Sequence, residues 1–215
     1  CGAFPFIAGM STTMANMGII YTSSPVFIII LSVFLFREKI GANRIIGLII
    51  CLVGVITIIT KGNINYLLDF RFTSGDFWML GAAVGWALYS IYLLNWKSKF
   101  SLMGRFTLIA FFGFISLFPF YMIEEALIFD TKFNSIFLAW VLFAAISPGI
   151  IAFSLYTKVQ RYLGASLTGF TLYLFAVYGA IFGIILFEEM LLPFHYYGGA
   201  LVFAGVYIAR KIKTI

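Results

Sequence analysis

Seven stretches of this 215-residue chain have interiors free of Asp, Glu, Lys, Arg and His: about residues 13–36, 44–60, 76–96, 105–123, 136–157, 164–187 and 195–210, with a shorter one at 1–11. Crossing the roughly 30 Å hydrocarbon layer takes about 20 helical residues, so the seven are of spanning length and the first is a stub. The missing charges decide insertion. Leu, Ile and Phe each gain about 0.3–0.6 kcal/mol at a helix centre, whereas one Lys, Arg or Asp costs about 2.5–3.5 kcal/mol. Only 10% of residues are charged and 63% are hydrophobic, with a mean hydropathy of +1.07. A soluble chain carries about 25% charge, and this one would leave large apolar patches facing water. A strand barrel would alternate in and out over about 10 residues, but runs such as Val26 to Phe36 are continuous. The expected fold is an all-α membrane protein, a polytopic helical bundle of seven full transmembrane helices plus a partial one.

The bases fix the orientation. Walking the alternating sides puts Arg37, Lys39, Arg44, Lys97, Lys99, Arg105, Lys158, Arg161, Arg210, Lys211 and Lys213 on one side, eleven of the 14 Lys and Arg. The other side holds Lys61, Arg71 and Lys132 with seven of the eight acids. The positive-inside bias makes the first side cytoplasmic, C-terminus included, in a multi-pass protein of the cell membrane. The net charge of +6 is therefore topological rather than a nucleic-acid footprint, because the bases lie in twos and threes between apolar runs. Cys1 and Cys51 have no paired spacing and read as apolar filler. The start at Cys1 reads as internal to a longer protein.

At an offset of 151 the chain repeats itself. Gly18 aligns with Gly169, Val26 with Val177, Glu38 with Glu189, Gly47 with Gly198, and Gly54-Val55 with Gly205-Val206. Glycines seven apart lie on one helix face, so Gly47/Gly54 and Gly198/Gly205 each offer a smooth stripe for a neighbouring backbone. Five spans, an odd number, separate the Glu38 turn from the Glu189 turn, so the copies point in opposite directions. The flanks agree: Arg37-Glu38-Lys39 on the basic side and Glu188-Glu189-Met190 on the other. Inverted repeats are the architecture of secondary transporters, which bind solute near the midplane.

The chain also resembles the EamA-type members of the drug/metabolite transporter superfamily. The resemblance lies in Ser24-Pro25-Val26-Phe27 leading to Phe36-Arg37-Glu38-Lys39, and in Gly47 through Gly54-Val55. It continues in Gly75-Asp76, Trp86-Ala87-Leu88-Tyr89, Leu163-Gly164-Ala165 and Phe187-Glu188-Glu189 with Gly198 and Gly205-Val206. It implies ten helices in two inverted sets of five, with both ends cytoplasmic. On that plan residues 1–62 are the remainder of the first repeat (helices 3–5), 63–75 a linker, and 76–215 the second repeat (helices 6–10). Ala176 stands where the second copy usually has the equivalent of Pro25, which leaves a kink there in question. The resemblance further implies export of small metabolites such as amino acids or their derivatives.

The midpoints of the spans supply the candidate substrate contacts: Ser24 and Pro25, Ser147 and Pro148, Trp86 and Tyr89, Tyr173 and Tyr178. A proline inside a membrane helix frees a carbonyl that must find another partner, which is one way to build a polar surface at depth; each proline reads equally as a packing kink. The aromatics read singly as core and together as a stacking, hydrogen-bonding wall. Gly81/Gly85 and Gly179/Gly183 have small-xxx-small spacing and mark close helix contacts, within the subunit or between two copies in a homodimer. Glu38 and Glu189 end spans and read as turn contacts, Asp76 as a helix cap after Ser74-Gly75, and His195 as interfacial. The span interiors hold no set of residues for a metal, a cofactor or catalysis, and no phosphate loop, so an enzyme or ATP-driven pump is disfavoured. The expected activity is alternating-access transport of a small, neutral or zwitterionic solute. The competing class is a non-transporting membrane scaffold or receptor.

Overall fold

The computed structural model describes residues 3–63, 65–68, 71–95, 99–127, 134–187, 190 and 192–210. In chain order its helices are α1 (Phe4–Gly9), α2 (Met14–Tyr21), α3 (Ser24–Phe36), α4 (Ala42–Ile59), α5 (Asn65–Leu68), α6 (Ser74–Asn95), α7 (Leu102–Leu127), α8 (Ser135–Ala144), α9 (Phe153–Gly169), α10 (Leu174–Phe187) and α11 (Pro193–Arg210). A π-helical turn, Ala145–Ala152, joins α8 to α9, and a 3-10 turn, Phe170–Tyr173, joins α9 to α10. Five segments among the described residues are long and apolar enough to cross a membrane: Asn16–Phe36, Ala42–Ile59, Ser74–Asn95, Gly104–Met122 and Ser135–Phe182. The last has 48 residues, about 70 Å of helix at 1.5 Å per residue. It is broken at Gly164, whose φ of +80° and ψ of 168° are not helical. The expected span at 195–210 is helical as α11 but falls outside the five, because His195, three tyrosines and Arg210 dilute its apolar length.

The chain forms two compact units, residues 1–95 with 163–215, and residues 96–162. In the first, α4 and α11 lie antiparallel along their glycine stripes. A Cβ built on Gly47 would lie 2.5 Å from the Gly205 carbonyl oxygen, and one on Gly205 would lie 2.7 Å from that of Gly47. Gly54 and Gly198 repeat the arrangement at 2.7 Å each way. Between them the Cys51 thiol approaches the Val202 carbonyl at 3.5 Å. Only hydrogen side chains allow backbones this close, and the contact yields dispersion and weak Cα–H···O attraction that lipid cannot supply.

The span containing Pro25 is broken between α2 and α3. Pro25 has no N–H for the Tyr21 carbonyl one turn earlier, and the Ser24 hydroxyl donates to that carbonyl at 2.7 Å. Thr22 and Ser23 likewise donate to Ile19 and Ile20 at 2.6 Å. In the second half Ala176 imposes no such break, yet the backbone tightens into the 3-10 turn at Phe170–Tyr173, at the same offset from the repeat as residues 19–22.

The stub α1 packs on α6: a Cβ on Gly75 would lie 2.5 Å from the Ala8 carbonyl oxygen, and one on Gly81 would lie 3.3 Å from the Phe4 ring. Gly81 thus stands at a close contact between α6 and α1 within the subunit. Its neighbour there is an aromatic ring, and Gly85, one turn further along α6, is half-buried. The close backbone approach on this helix falls a turn and a half earlier, at Gly75. Asp76 is fully buried where α1 and α6 meet. Its carboxylate accepts from the Thr73 N–H at 2.7 Å and the Thr73 hydroxyl at 3.0 Å, capping α6, and from the Thr12 hydroxyl at 2.5 Å. The capping expectation agrees, with a tether to the α1–α2 turn added.

Helices α7 and α8 of the second unit expose large apolar side chains. Phe111, Phe112, Phe114, Phe118 and Phe120 of α7 and Trp140, Leu142 and Phe143 of α8 are all exposed. A helix of this kind is at home in lipid and not in water. The chain is a multi-pass membrane protein.

Candidate functional site

Helix α3 separates two apolar clusters, and adjacent residues Ile28 and Ile29 enter different ones. Ile28 joins Ala87, Ile91, Ala165 and Leu172, with Trp86 packed alongside. Ile29 joins Leu48, Cys51, Val55, Phe170, Tyr173, Val177, Val202 and Ala209. The period of 3.6 explains the divergence: Ser24, Ile28 and Ser32 lie one turn apart on one buried stripe, and Pro25 and Ile29 on the next.

The candidate residues stand in different states. Ser24 is buried and its proton is committed to Tyr21; Pro25 is buried against Gly169, where a Cβ would lie 3.5 Å from the Pro25 Cβ. Trp86 and Tyr89 are half-buried with ring centroids 5.6 Å apart and planes at 41°. Tyr173 is 0% exposed, its ring edge-on to Phe170 at 6.1 Å, and its hydroxyl has no hydrogen-bond partner among the described residues. In a membrane interior such a hydroxyl is costly, about 1–3 kcal/mol, and therefore informative. Tyr178 is exposed, away from both clusters. Ser147 lies half-buried in the π-helical turn of the second unit; Pro148 belongs to the same turn, and its side-chain surroundings lie outside the described residues. A π turn is the expected response to a proline that cannot bond four residues back. A Cβ on Gly179 would meet nothing within 4 Å among the described residues. The Glu189 turn lies outside the described residues, and Gly183 is placed only as part of α10.

Sequence reading missed the polar neighbours. The Glu38 carboxylate pairs with Arg44 at 2.7 Å through Oε1 and accepts from the Ser166 hydroxyl at 2.7 Å through Oε2. Ser166 is 128 residues away, so no local pattern could announce it. Ser32, Ser90 and Thr168 are also buried, and the eight-residue spacing of Ser24 and Ser32 was a usable helical signal. Among the described residues no three His, Cys, Asp or Glu side chains come together.

A family model described as the EamA-like transporter family matches residues 3–60 and 73–210. An uncharacterized transporter, YetK of Bacillus subtilis, is 27% identical over 199 residues, covering 92% of this chain and 60% of its own length. An uncharacterized transporter of Methanothermobacter thermautotrophicus is 27% identical over 207 residues, covering 94% and 59% respectively. The chain thus spans less than two thirds of the curated relatives it matches. A protein crystal structure superposes with a TM-score of 0.75 at 19% identity, covering 96% of this chain and 70% of the other, a likeness of fold alone.

Proposed function

This chain belongs to the EamA-like transporter family, and from that premise we propose that it is part of a secondary transporter with two inverted five-helix halves. The whole protein moves a small neutral or zwitterionic metabolite, such as an amino acid or its derivative, outward by alternating access, with the C-terminus cytoplasmic. The observation that carries this reading is the α4–α11 packing. Gly47 meets Gly205 and Gly54 meets Gly198, while 151 residues relate Gly47 to Gly198, Cys51 to Val202 and Gly54 to Gly205. Each helix therefore meets its own repeat partner reciprocally, as a local two-fold axis in the membrane plane requires. On this reading the 48-residue apolar segment is two spans that turn at Gly164, α11 is the last span, residues 1–62 supply helices 3–5 of the first half, and 63–75 links them to the second half at 76–215.

The topology has a direct test. Single cysteines at Lys39 and Met190 are expected to label from opposite faces of the membrane; labelling from the same face removes the inverted repeat.

The packing of Ser24 and Tyr173 away from solvent favours the scaffold reading on its own, whereas the unpartnered Tyr173 hydroxyl favours a site closed in this conformation. Tyr173→Phe separates the two. It deletes a buried unsatisfied group and fills the same volume, so stability in detergent is expected to hold or rise by about 1 kcal/mol. If the hydroxyl binds solute when the seam opens, efflux of the substrate found by a metabolite screen on cells making the full-length protein should fall severalfold. Unchanged efflux removes Tyr173 from the site. Tyr173→Ala is the poorer experiment, since the cavity would cost about 3–5 kcal/mol by itself.

A further inference from the structure

Residues 165–173 form a segment with irregular backbone at both ends. Gly164 precedes it in a conformation that only glycine adopts readily, and a Cβ there would meet nothing within 4 Å. The 3-10 turn at Phe170–Tyr173 closes it. Ala165 and Leu172 are buried in the cluster with Ile28, Ala87 and Ile91, so the segment forms one wall of the seam between α3 and α6. Glu38 grips this segment through Ser166 and is itself held on its own side. Arg37, at φ +53°, turns the chain out of α3, the Glu38 N–H donates to the Ser32 carbonyl at 3.2 Å, and Arg44 pairs with Oε1 at 2.7 Å.

We propose that Glu38 is a latch, holding segment 165–173 against α3 and α6 so that the seam is shut on the side of the α3–α4 turn. The inference rests on the carrier reading above and adds the device that sets which side is closed. The apolar contacts beneath are non-directional and tolerate sliding. The Ser166–Glu38 bond is directional and charge-assisted, and the Glu38 side chain is 33% exposed, so water can replace Ser166 without stranding the carboxylate. Release lets the segment swing at Gly164, whose backbone is already outside the helical range, and admits water to the seam from the side of the α3–α4 turn. Arg44 keeps the carboxylate in place for relatching.

Ala87→Cys in the full-length protein is the reporter, because Ala87 is fully buried in the seam and a thiol changes little volume. A membrane-impermeant maleimide is applied to sealed vesicles of both orientations, with protein lacking the reporter as the blank. Ser166→Ala is expected to raise labelling from the side of the α3–α4 turn about tenfold, the equivalent of one charge-assisted hydrogen bond. Labelling from the opposite side should stay level or fall. Glu38→Gln is expected to give a smaller rise of about threefold, since a neutral amide still accepts a hydrogen bond, and it is the variant to read if Ser166→Ala fails to insert. Ser166→Thr, which keeps the hydroxyl, should label like the parent. Unchanged labelling in both Ser166→Ala and Glu38→Gln, a reporter that never reacts, or an equal rise from both sides overturns the latch. Labelling of the parent from both sides with no shift in the variants overturns the latch and leaves the carrier intact. A rise confined to the turn side, with the opposite side silent throughout, supports the latch and counts against alternating access.

Discussion

Gly47→Val is expected to lower the midpoint of thermal unfolding in detergent by roughly 6–12 °C, or to abolish recovery of folded protein, corresponding to about 3 kcal/mol or more. Two effects oppose one another. Replacing a helical glycine gains up to about 1 kcal/mol of propensity. Against it, even the first carbon of the new side chain would stand 2.5 Å from the Gly205 carbonyl oxygen, 2.8 Å from the Ala209 Cβ and 2.9 Å from the Ala209 N. Two of those three atoms are backbone and cannot rotate away, so α4 and α11 must part along their length, and the Gly54–Gly198 contact loosens with them. The clash therefore wins. Gly113→Ala in α7 isolates the propensity term, because a Cβ there meets nothing within 4 Å; it should be neutral or stabilising by up to about 1 kcal/mol. Similar midpoints for Gly47→Val and Gly113→Ala would show that the stripe is not a packing surface.

Asp76→Ala is expected to cost about 2–4 kcal/mol, through loss of a charged acceptor and exposure of helix-end donors. Three donors lose their partner at once: the Thr12 hydroxyl, the Thr73 hydroxyl and the Thr73 N–H. The residue is fully buried, so water does not readily substitute. Asp76→Asn keeps one acceptor and most of the shape and should cost about half as much. The Thr12 contribution is separable, because a cycle of Asp76→Ala and Thr12→Val measures the tether between the α1–α2 turn and α6 apart from the cap. Additive costs would mean that Asp76 caps α6 and does nothing for α1; coupling of about 1 kcal/mol or more is expected.

Much of this was written locally. The break at Pro25 and the cap at Asp76 follow from a missing N–H and from a carboxylate in a first helical turn, both properties of a few consecutive residues. The candidate site was less legible. Ser24 and Pro25 lie on α3 between the cluster beside Trp86 and the one that holds Tyr173, but sequence spacing could not say that the Ser24 proton goes to Tyr21 or that the Tyr173 hydroxyl finds no partner among the described residues. Tyr178 was paired with Tyr173 by position in its span, yet five residues of helix turn it through more than a full revolution, and it is exposed. Small-residue spacing was equally ambiguous on α6, where Gly75 meets a neighbouring backbone and Gly81 an aromatic ring, because spacing gives a smooth face but not the neighbour that uses it. Ser166 carried no sequence signal at all, since an isolated serine is commonplace and its partner lies in the α3–α4 turn, 128 residues away.

The sequence alone determined that this chain lives in a bilayer as helices and that two glycine pairs recur 151 residues apart, because insertion energy and backbone satisfaction depend on residue type summed along a single segment. Which stripe meets which was decided only in three dimensions. The register of Gly47 on Gly205, the tether of Asp76 to Thr12 and the reach of Glu38 to Ser166 each join residues far apart in the chain. Lipid offers no apolar driving force to choose among helix faces, so the choice falls to close backbone approach and a few buried polar bonds.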